Sequence, residues 1–334
     1  MTGLARTIHT RAGTGRRPGR LSELSLFLFL YIPSVLRYTF TVFEQTAVFW
    51  SPQRGYVMLK IKEYARAESL EQAYEWNQKK SSCVLGGMLW LKMSERNVGK
   101  AIDLSGLGLD QIREDGEEFR IGCMATLRQM ERHEGLNRYT EGAVRAALAD
   151  IVGVQFRNLA TAGGSVFGRF GFSDVLTVLL AMDTSVILYH RGEIPLEEFI
   201  AGKRDRDILT EIRIRKQPGF HMVYQAHRNS RTDFPVLNAA AALDAAGGKL
   251  VFGARPLPAM ALPLEEKLTK QLRGGNLTEQ EAAEAAERTA EQVPVGGNMR
   301  GSAGYRRHLT RVLGRRSLLE LQKLAAAEKG GTVS

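Results

Sequence analysis

Two glycine pairs in this chain have the setting of an anion-binding loop. The first lies in Leu85-Gly86-Gly87-Met88-Leu89-Trp90. The second lies in Ala160-Thr161-Ala162-Gly163-Gly164-Ser165, with Ser173-Asp174 shortly after. A glycine has no Cβ, so backbone N–H groups can come close to a phosphate there. One such loop says little. Two of them point to a cleft that grips a dinucleotide at both ends. Asp174 reads in two ways: a first-turn acid favoured by the helix macrodipole, or an acceptor for cofactor hydroxyls. Arg157 stands just ahead of the second pair and reads as a residue that orders the loop. Trp90 reads as core rather than as a stacking ring.

Other chemistries lack their residues. The chain has 334 residues and only two cysteines, Cys83 and Cys123. That excludes a disulfide scaffold and a cysteine-held cluster carried by this chain alone. Both read as small core residues on strands. Two thiols in a chain of this length fit a reducing compartment, so a cytoplasmic location is expected. The six histidines show neither HxH nor HExxH spacing, and no metal site is expected. There is no zinc-finger spacing and no dense Lys/Arg helix, which argues against nucleic acid.

The net charge of +10 is unevenly spread. Residues 1–57 hold seven Lys/Arg against two Asp/Glu, half of the total excess. Within them, a basic stretch precedes the apolar run Leu24 to Leu36, which is broken by Pro33. A leader or anchor is one reading. The favoured one starts the native protein at Met58 and leaves residues 1–57 as an extension outside the fold.

From Met58 the elements alternate. Ser69 and Gln72 form a capping-box pattern, which predicts a helix from Leu70 to Gln78. A short strand, Ser82 to Leu85, leads into the first glycine pair. Strands are expected at 101–104 and 118–124, the latter with Phe119, Ile121 and Cys123 on one side. Thr126 and Gln129 start another helix, and 141–152 reads as an Ala-rich one. A loop is expected from the second glycine pair to Ser173, which caps a helix of Asp174 to Met182. That helix is almost wholly apolar and is expected to be buried. Strands follow at 184–189 and 208–214, then a turn at Gln217-Pro218-Gly219. Beyond it come strands at 220–225, 236–243 and 250–252, and helices at 279–293 and 305–327.

With these elements in place, the chain resembles the FAD-binding subunit of molybdenum hydroxylases, the xanthine dehydrogenase and carbon monoxide dehydrogenase flavoproteins. The resemblance covers about 58–320. It is carried by Arg157-Asn158-x-Ala160-Thr161-x-Gly163-Gly164-Ser165 with Ser173-Asp174, by Ile121-Gly122-Cys123-Met124-Ala125-Thr126-Leu127, by Gly253-Ala254-Arg255-Pro256 and by Gly301-Ser302-Ala303-Gly304-Tyr305-Arg306-Arg307.

It implies an α+β (mixed α/β) fold: a two-lobed FAD-binding domain of PCMH type over 58–217 (lobes about 58–110 and 111–217), then a smaller C-terminal α+β domain over 218–328. It further implies that Leu85, Gly86, Gly87, Met88, Leu89 and Trp90 border the flavin pyrophosphate. Ala160, Thr161, Gly163, Gly164 and Ser165 form the second flavin loop. Ser173 and Asp174 lie near the ribityl and phosphate region, and Leu209 lies by a ring. Met88 stands where relatives carry Thr, Ser or His, Ser165 where they carry Asn, and Tyr224 where some carry Lys.

The implied activity is electron transfer: a molybdopterin subunit oxidises the substrate, a [2Fe–2S] subunit relays electrons, and FAD on this chain passes them to NAD⁺ or another acceptor. Purines are the expected substrate class, and no membrane partner is expected. The alternative is a non-catalytic assembly or binding subunit with a degenerate flavin site.

Overall fold

In the computed structural model, residues 58–330 are described; the expectation for residues 1–57 lies outside them. The first glycine pair is delivered by a small parallel sheet. Strands β1 (Lys60–Arg66), β2 (Ser82–Leu85) and β3 (Asn97–Asp103) run in the order β1-β3-β2. Helix α1 (Leu70–Asn77) crosses between β1 and β2, started by the Ser69 hydroxyl accepting from the Gln72 N–H at 3.1 Å. Because β2 ends at Leu85, the glycines emerge at the carboxyl end of a parallel strand, the usual ligand side of such sheets. Here Leu85, Val98 and Ala101 form a small core of their own.

An antiparallel sheet carries the second pair. Its strands are β4 (Ile112–Glu114), β5 (Glu118–Gly122), β6 (Asp183–Leu188), β7 (Gly192–Pro195) and β8 (Leu209–Arg215), in the order β4-β5-β8-β6-β7. One face is apolar, with Phe119, Ile121, Val186, Ile212 and Ile214 buried. Its other face carries a charge ladder in which Arg213 sits 2.9 Å from Glu193 and 3.3 Å from Glu118. Alternation of this kind fixes register, since a one-residue slip would bury the charges.

Six helices lie between the second and third of those strands in sequence: α2 (Leu127–Arg132), α3 (Glu134–Tyr139), α4 (Ala143–Ala149), α5 (Val154–Leu159), α6 (Ala162–Gly168) and α7 (Asp174–Ala181). A further short helix, α8 (Leu196–Ala201), precedes β8.

Helix α6 departs from the sequence expectation, which placed a loop there. Gly163 and Gly164 disfavour a helix by about 1 kcal/mol each relative to alanine. Packing overrides this: a Cβ on Gly163 would lie 2.6 Å from Cys123 Cβ, so only glycine lets the helix close on β5's end. The helix expected at 141–152 is trimmed to Ala143–Ala149 because Glu141 and Val152 both adopt φ of 50° and leave the helical region. Strands β1, β4 and β7 were not expected. Their sequences are charged and short of apolar alternation.

The C-terminal region is a four-stranded antiparallel sheet, β9 (His221–Arg228), β10 (Pro235–Leu243), β11 (Gly248–Gly253) and β12 (Met260–Pro263), in the order β12-β11-β10-β9. Helices α9 (Glu266–Gly274), α10 (Glu279–Gln292) and α11 (Ala303–Gly330) follow. All nine residues of β10 are buried, because both of its faces are covered. Ala239, Ala241 and Leu243 join the core that includes Leu309, Leu313 and Leu321 of α11. Ala240 and Ala242 join the core that includes Leu176 and Leu179 of α7. Helix α7 is buried at every position, as its sequence predicts, and touches the strands of both antiparallel sheets. No helix among the described residues is long and apolar enough to cross a membrane.

Arg157 orders the segment before α6 through a buried ion pair. Its Nε lies 2.7 Å from Glu131 Oε2, and Nη1 donates to the Ile151 carbonyl at 3.1 Å. Burial pushes the Glu131 carboxyl up, but the guanidinium groups of Arg157 and Arg128 outweigh it and hold its pKa below the ordinary 4.5. A depressed carboxylate stabilises the fold fully above its unfolded pKa and progressively less as pH falls through the folded value. Glu131→Gln should cost roughly 3 kcal/mol at neutral pH, since Arg157 is left buried without its partner. The difference from wild type should shrink below about pH 4.5. Urea denaturation across pH 3–7 checks both.

Candidate functional site

The three regions meet around a cleft of about 720 Å³, within the range of ligand pockets. Residues 84–91, from the end of β2 onward, form one wall. Residues between Ala160 and Asp174 form another. Residues 204–209, up to the first residue of β8, and Arg228 with Thr232–Phe234 complete it. Every position named from the sequence lines this cleft: Leu85 to Trp90, Ala160, Thr161, Gly163, Gly164, Ser165, Ser173, Asp174 and Leu209.

The two glycine loops are packed against each other. A Cβ on Gly87 would lie 1.8 Å from the Leu159 carbonyl oxygen, and one on Gly86 would lie 2.7 Å from Thr161 Oγ1. Glycine is therefore required in the first loop by the second loop's backbone.

Hydrogen bonding then divides the loops. In the second, Ala162 N–H donates to the Ala125 carbonyl, Gly163 to Cys123 and Ser165 to Thr161, while Gly164 donates to Thr161 Oγ1 at 3.1 Å. The Ser165 hydroxyl donates to the Thr161 carbonyl at 2.9 Å. These groups are already satisfied. In the first loop, the N–H groups of Gly87, Met88, Leu89 and Trp90 donate to no acceptor among the described residues. Met88 takes φ of 58°, the left-handed conformation that curls successive N–H groups into an anion-binding nest. Val152, also on the cleft, holds a positive φ despite its branched Cβ. Such strain persists where surrounding structure enforces it.

Asp174 follows its N-cap, Ser173, whose hydroxyl accepts from the Leu176 N–H at 3.1 Å. Its carboxylate is buried and held from the C-terminal sheet. Oδ1 accepts from Tyr224 Oη and from Asn238 Nδ2 at 2.7 Å, and lies 3.0 Å from Arg228 Nη2. Burial raises its pKa above the ordinary value, with Arg228 opposing the rise. Burial likewise acts against the Arg228 charge, and Asp174 overcomes this, so the guanidinium holds its proton more firmly than usual. Tyr224, at the position where the resemblance left a lysine contact open, thus bonds to Asp174 through its hydroxyl.

Trp90, read from the sequence as core, is instead 36% exposed on the cleft, where it forms an aromatic cluster with Phe156, Phe170, Phe172 and Phe234 at centroid separations of 5.5–6.2 Å; these four phenylalanines, Arg206 and Ser82 were missed by sequence reading. Phe170 and Phe172, two apart just ahead of Ser173, were a visible signal; the arrival of Phe234 from another region was not. Arg206 ties the 204–209 segment to α1: its guanidinium donates to the carbonyls of Asn77, Lys79 and Lys80 at 2.8–2.9 Å, and Asn77 Nδ2 donates back to the Arg206 carbonyl. Ser82 Oγ is buried on the cleft and has no hydrogen-bond partner among the described residues. Leu209, 5% exposed, supplies apolar wall. Cys83 and Cys123 are both free thiols. Burial pushes the Cys123 thiol up to about 12, which keeps it protonated.

Comparison with known proteins agrees with this anatomy. A family model described as the FAD binding domain in molybdopterin dehydrogenase matches residues 59–216, and one described as the CO dehydrogenase flavoprotein C-terminal domain matches 222–321. The uncharacterized protein YgfM of Escherichia coli K12 is 31% identical over 258 residues, 76% of this chain and 93% of that protein. Two solved structures share the fold. Quinoline 2-oxidoreductase from Pseudomonas putida 86 aligns with a TM-score of 0.70 at 18% identity, covering 79% of this chain and 97% of that one. CO dehydrogenase from Oligotropha carboxidovorans aligns at 0.69 and 20% identity, covering 78% and 97%.

Gly87→Ala tests the loop contact. The added methyl must push the first loop off Leu159, scattering the free N–H groups. FAD affinity should fall at least about tenfold, a loss of about 1.4 kcal/mol, while far-UV circular dichroism stays unchanged. Flavin fluorescence titration gives the affinity.

Proposed function

This chain belongs to the FAD-binding subunit family of the molybdenum hydroxylases, and from that premise we propose that it holds FAD in the cleft and passes electrons from iron–sulfur centres of a partner to NAD⁺ or another acceptor. The single observation that carries the reading is the run of unpaired N–H groups from Gly87 to Trp90 on the cleft wall. Gly87 to Leu89 are half-buried and Trp90 exposed, so these four main-chain donors face the cleft free of protein acceptors among the described residues, and the oxygens of a diphosphate can accept from them.

The residues fit the cofactor. The first loop would hold the diphosphate through main-chain donors, where Met88 contributes its N–H and no polar side-chain atom. Ser82 Oγ offers a further polar contact with no partner among the described residues. Leu85, Leu209 and the Trp90 cluster give apolar walls that exclude water from the rings. When bound, the flavin supplies a centre able to exchange electrons singly with an iron–sulfur centre and in pairs with an acceptor. Asp174 and Arg228 form a fixed charge pair beside the cleft. Arg228 opposes the rise that burial imposes on the Asp174 carboxyl, and Asp174 in turn strengthens the Arg228 charge.

Oxidation of an organic substrate belongs to a molybdopterin-bearing partner, and an iron–sulfur partner links the two. A purine substrate, as in xanthine dehydrogenase, is the first class to assay. The free thiols Cys83 and Cys123 support a cytoplasmic setting.

Protein starting at Met58 should purify yellow or take up FAD stoichiometrically. Co-expressed with its partners, it should reduce NAD⁺ or an artificial acceptor when purines are supplied. Folded protein that stays colourless in excess FAD overturns the cofactor assignment and leaves a binding-only subunit.

A further inference from the structure

We propose that the cleft holds a second anion site, at the end where β2 begins, and that its ligand is a phosphate monoester or free phosphate. This goes beyond the flavin reading and rests on it only in treating the first-loop donors as already taken. Four arginines among the described residues line the cleft: Arg96, Arg204, Arg206 and Arg228. Only Arg228 is ion-paired, to Asp174. The other three converge from two sides. Arg96 stands just ahead of β3, and its Nη1 donates to Cys83 Sγ at 3.8 Å, a weak acceptor. Arg204 and Arg206 belong to the segment between α8 and β8. Arg204 donates to the Gly168 carbonyl at the end of α6, and Arg206 to the three carbonyls at and beyond the end of α1. Main-chain carbonyls and a thiol hold these side chains in place without neutralising them.

The acids of the same segment are engaged elsewhere. Asp205 pairs with Arg191 at 2.8 Å, and Asp207 accepts from the N–H groups of His190 and Arg191. Arg169 adds charge from behind, where its Nη1 donates to the Gly202 carbonyl. Burial, and after it the charge of Arg204, lowers its pKa below the ordinary value. Positive charge is thus left over at one end of the cleft. The first-loop donors do not reach it: Cys83, against which Arg96 lies, is four residues ahead of Gly87, about 13 Å at roughly 3.3 Å per extended residue. The nucleoside parts of a dinucleotide carry no negative charge, so they leave these cations unanswered. Guanidinium forks match phosphate oxygens, and three of them suit a dianion better than a carboxylate. Ser82, 3% exposed, adds a hydroxyl with no partner among the described residues.

The test is calorimetry on wild type, Arg96→Gln and Arg204→Gln, two independent changes of exposed side chains. The probes are inorganic phosphate, 5′-AMP and adenosine 2′,5′-bisphosphate. A free-ion site binds inorganic phosphate in protein already saturated with FAD. A site for a ribose-borne phosphate instead binds the bisphosphate at least about tenfold tighter than 5′-AMP in flavin-free protein. Either result supports the second site, and the two together tell its sources apart. In both cases each variant should remove about tenfold of that affinity, while 5′-AMP binding holds.

The proposal is overturned by FAD-saturated protein that binds no phosphate together with equal affinities for 5′-AMP and the bisphosphate. Phosphate binding that neither variant weakens overturns it too, since the arginines then only tie segments together. Wild-type protein that takes up no FAD counts against the flavin reading instead. The comparison of 5′-AMP with the bisphosphate needs no flavin, so the two failures stay distinct.

Discussion

Everything at the cleft depends on two stretches of main chain lying in direct contact. The first glycine loop rests on the Leu159 carbonyl and Thr161, and no side chain larger than hydrogen fits at Gly87. The contact also sorts the donors. The second loop turns its N–H groups inward to Cys123, Ala125 and Thr161, so it becomes a rigid base. The first loop, seated on that base, leaves the N–H groups of Gly87 to Trp90 without an acceptor among the described residues. A cradle made of backbone does not depend on which side chain each position carries. Met88 can therefore stand where a hydroxyl or imidazole is expected, provided it accepts a positive φ.

The C-terminal sheet does more than extend the chain. Helix α7 is buried on all sides because it serves two sheets at once, and Asp174 sits at its first turn where they meet. Gly253 is part of the same junction: a Cβ there would lie 2.0 Å from Thr177 Oγ1 and 2.4 Å from Asn238 Oδ1. Breaking a buried ion pair by removing one partner is expensive. The Asp174–Arg228 pair thus makes the seating of β9 on α7 specific in a way that alanines and leucines cannot. The polar network and the apolar sandwich around β10 act on one joint. Apolar burial supplies the adhesion, and the charges define one orientation.

Local signals in the sequence located much of this. Ser69, Thr126 and Ser173 cap helices as their spacing predicts, and Thr278 adds a capping box of the same kind. The unbroken apolar run of α7 foretold its burial. What the sequence did not show was whatever depends on close approach between distant segments. Gly163 and Gly164 looked like loop residues, because their helix is stabilised by tertiary packing, the close contact with Cys123 included. Arg228, Phe234 and Arg206 carried no local signal, since their roles arise from Asp174, Trp90 and Asn77, which are 54, 144 and 129 positions away in sequence. The glycine pairs were recognised as a site, but their division into base and cradle required the hydrogen bonds.

That division also explains where substitution is tolerated. Ser165 stands where the resemblance implied an amide, and its hydroxyl turns back to the Thr161 carbonyl within α6. A side chain occupied in that way holds the base together rather than reaching for a ligand. The second loop can lose a ligand-directed side chain and still support the first. The converse does not hold. A change that unseats Gly87 from Leu159 removes the base from under the unpaired donors, whatever side chains remain around the cleft. Recognition at this site is thus concentrated in main-chain geometry, with Arg228 and Asp174 adding the charge that backbone amides cannot provide.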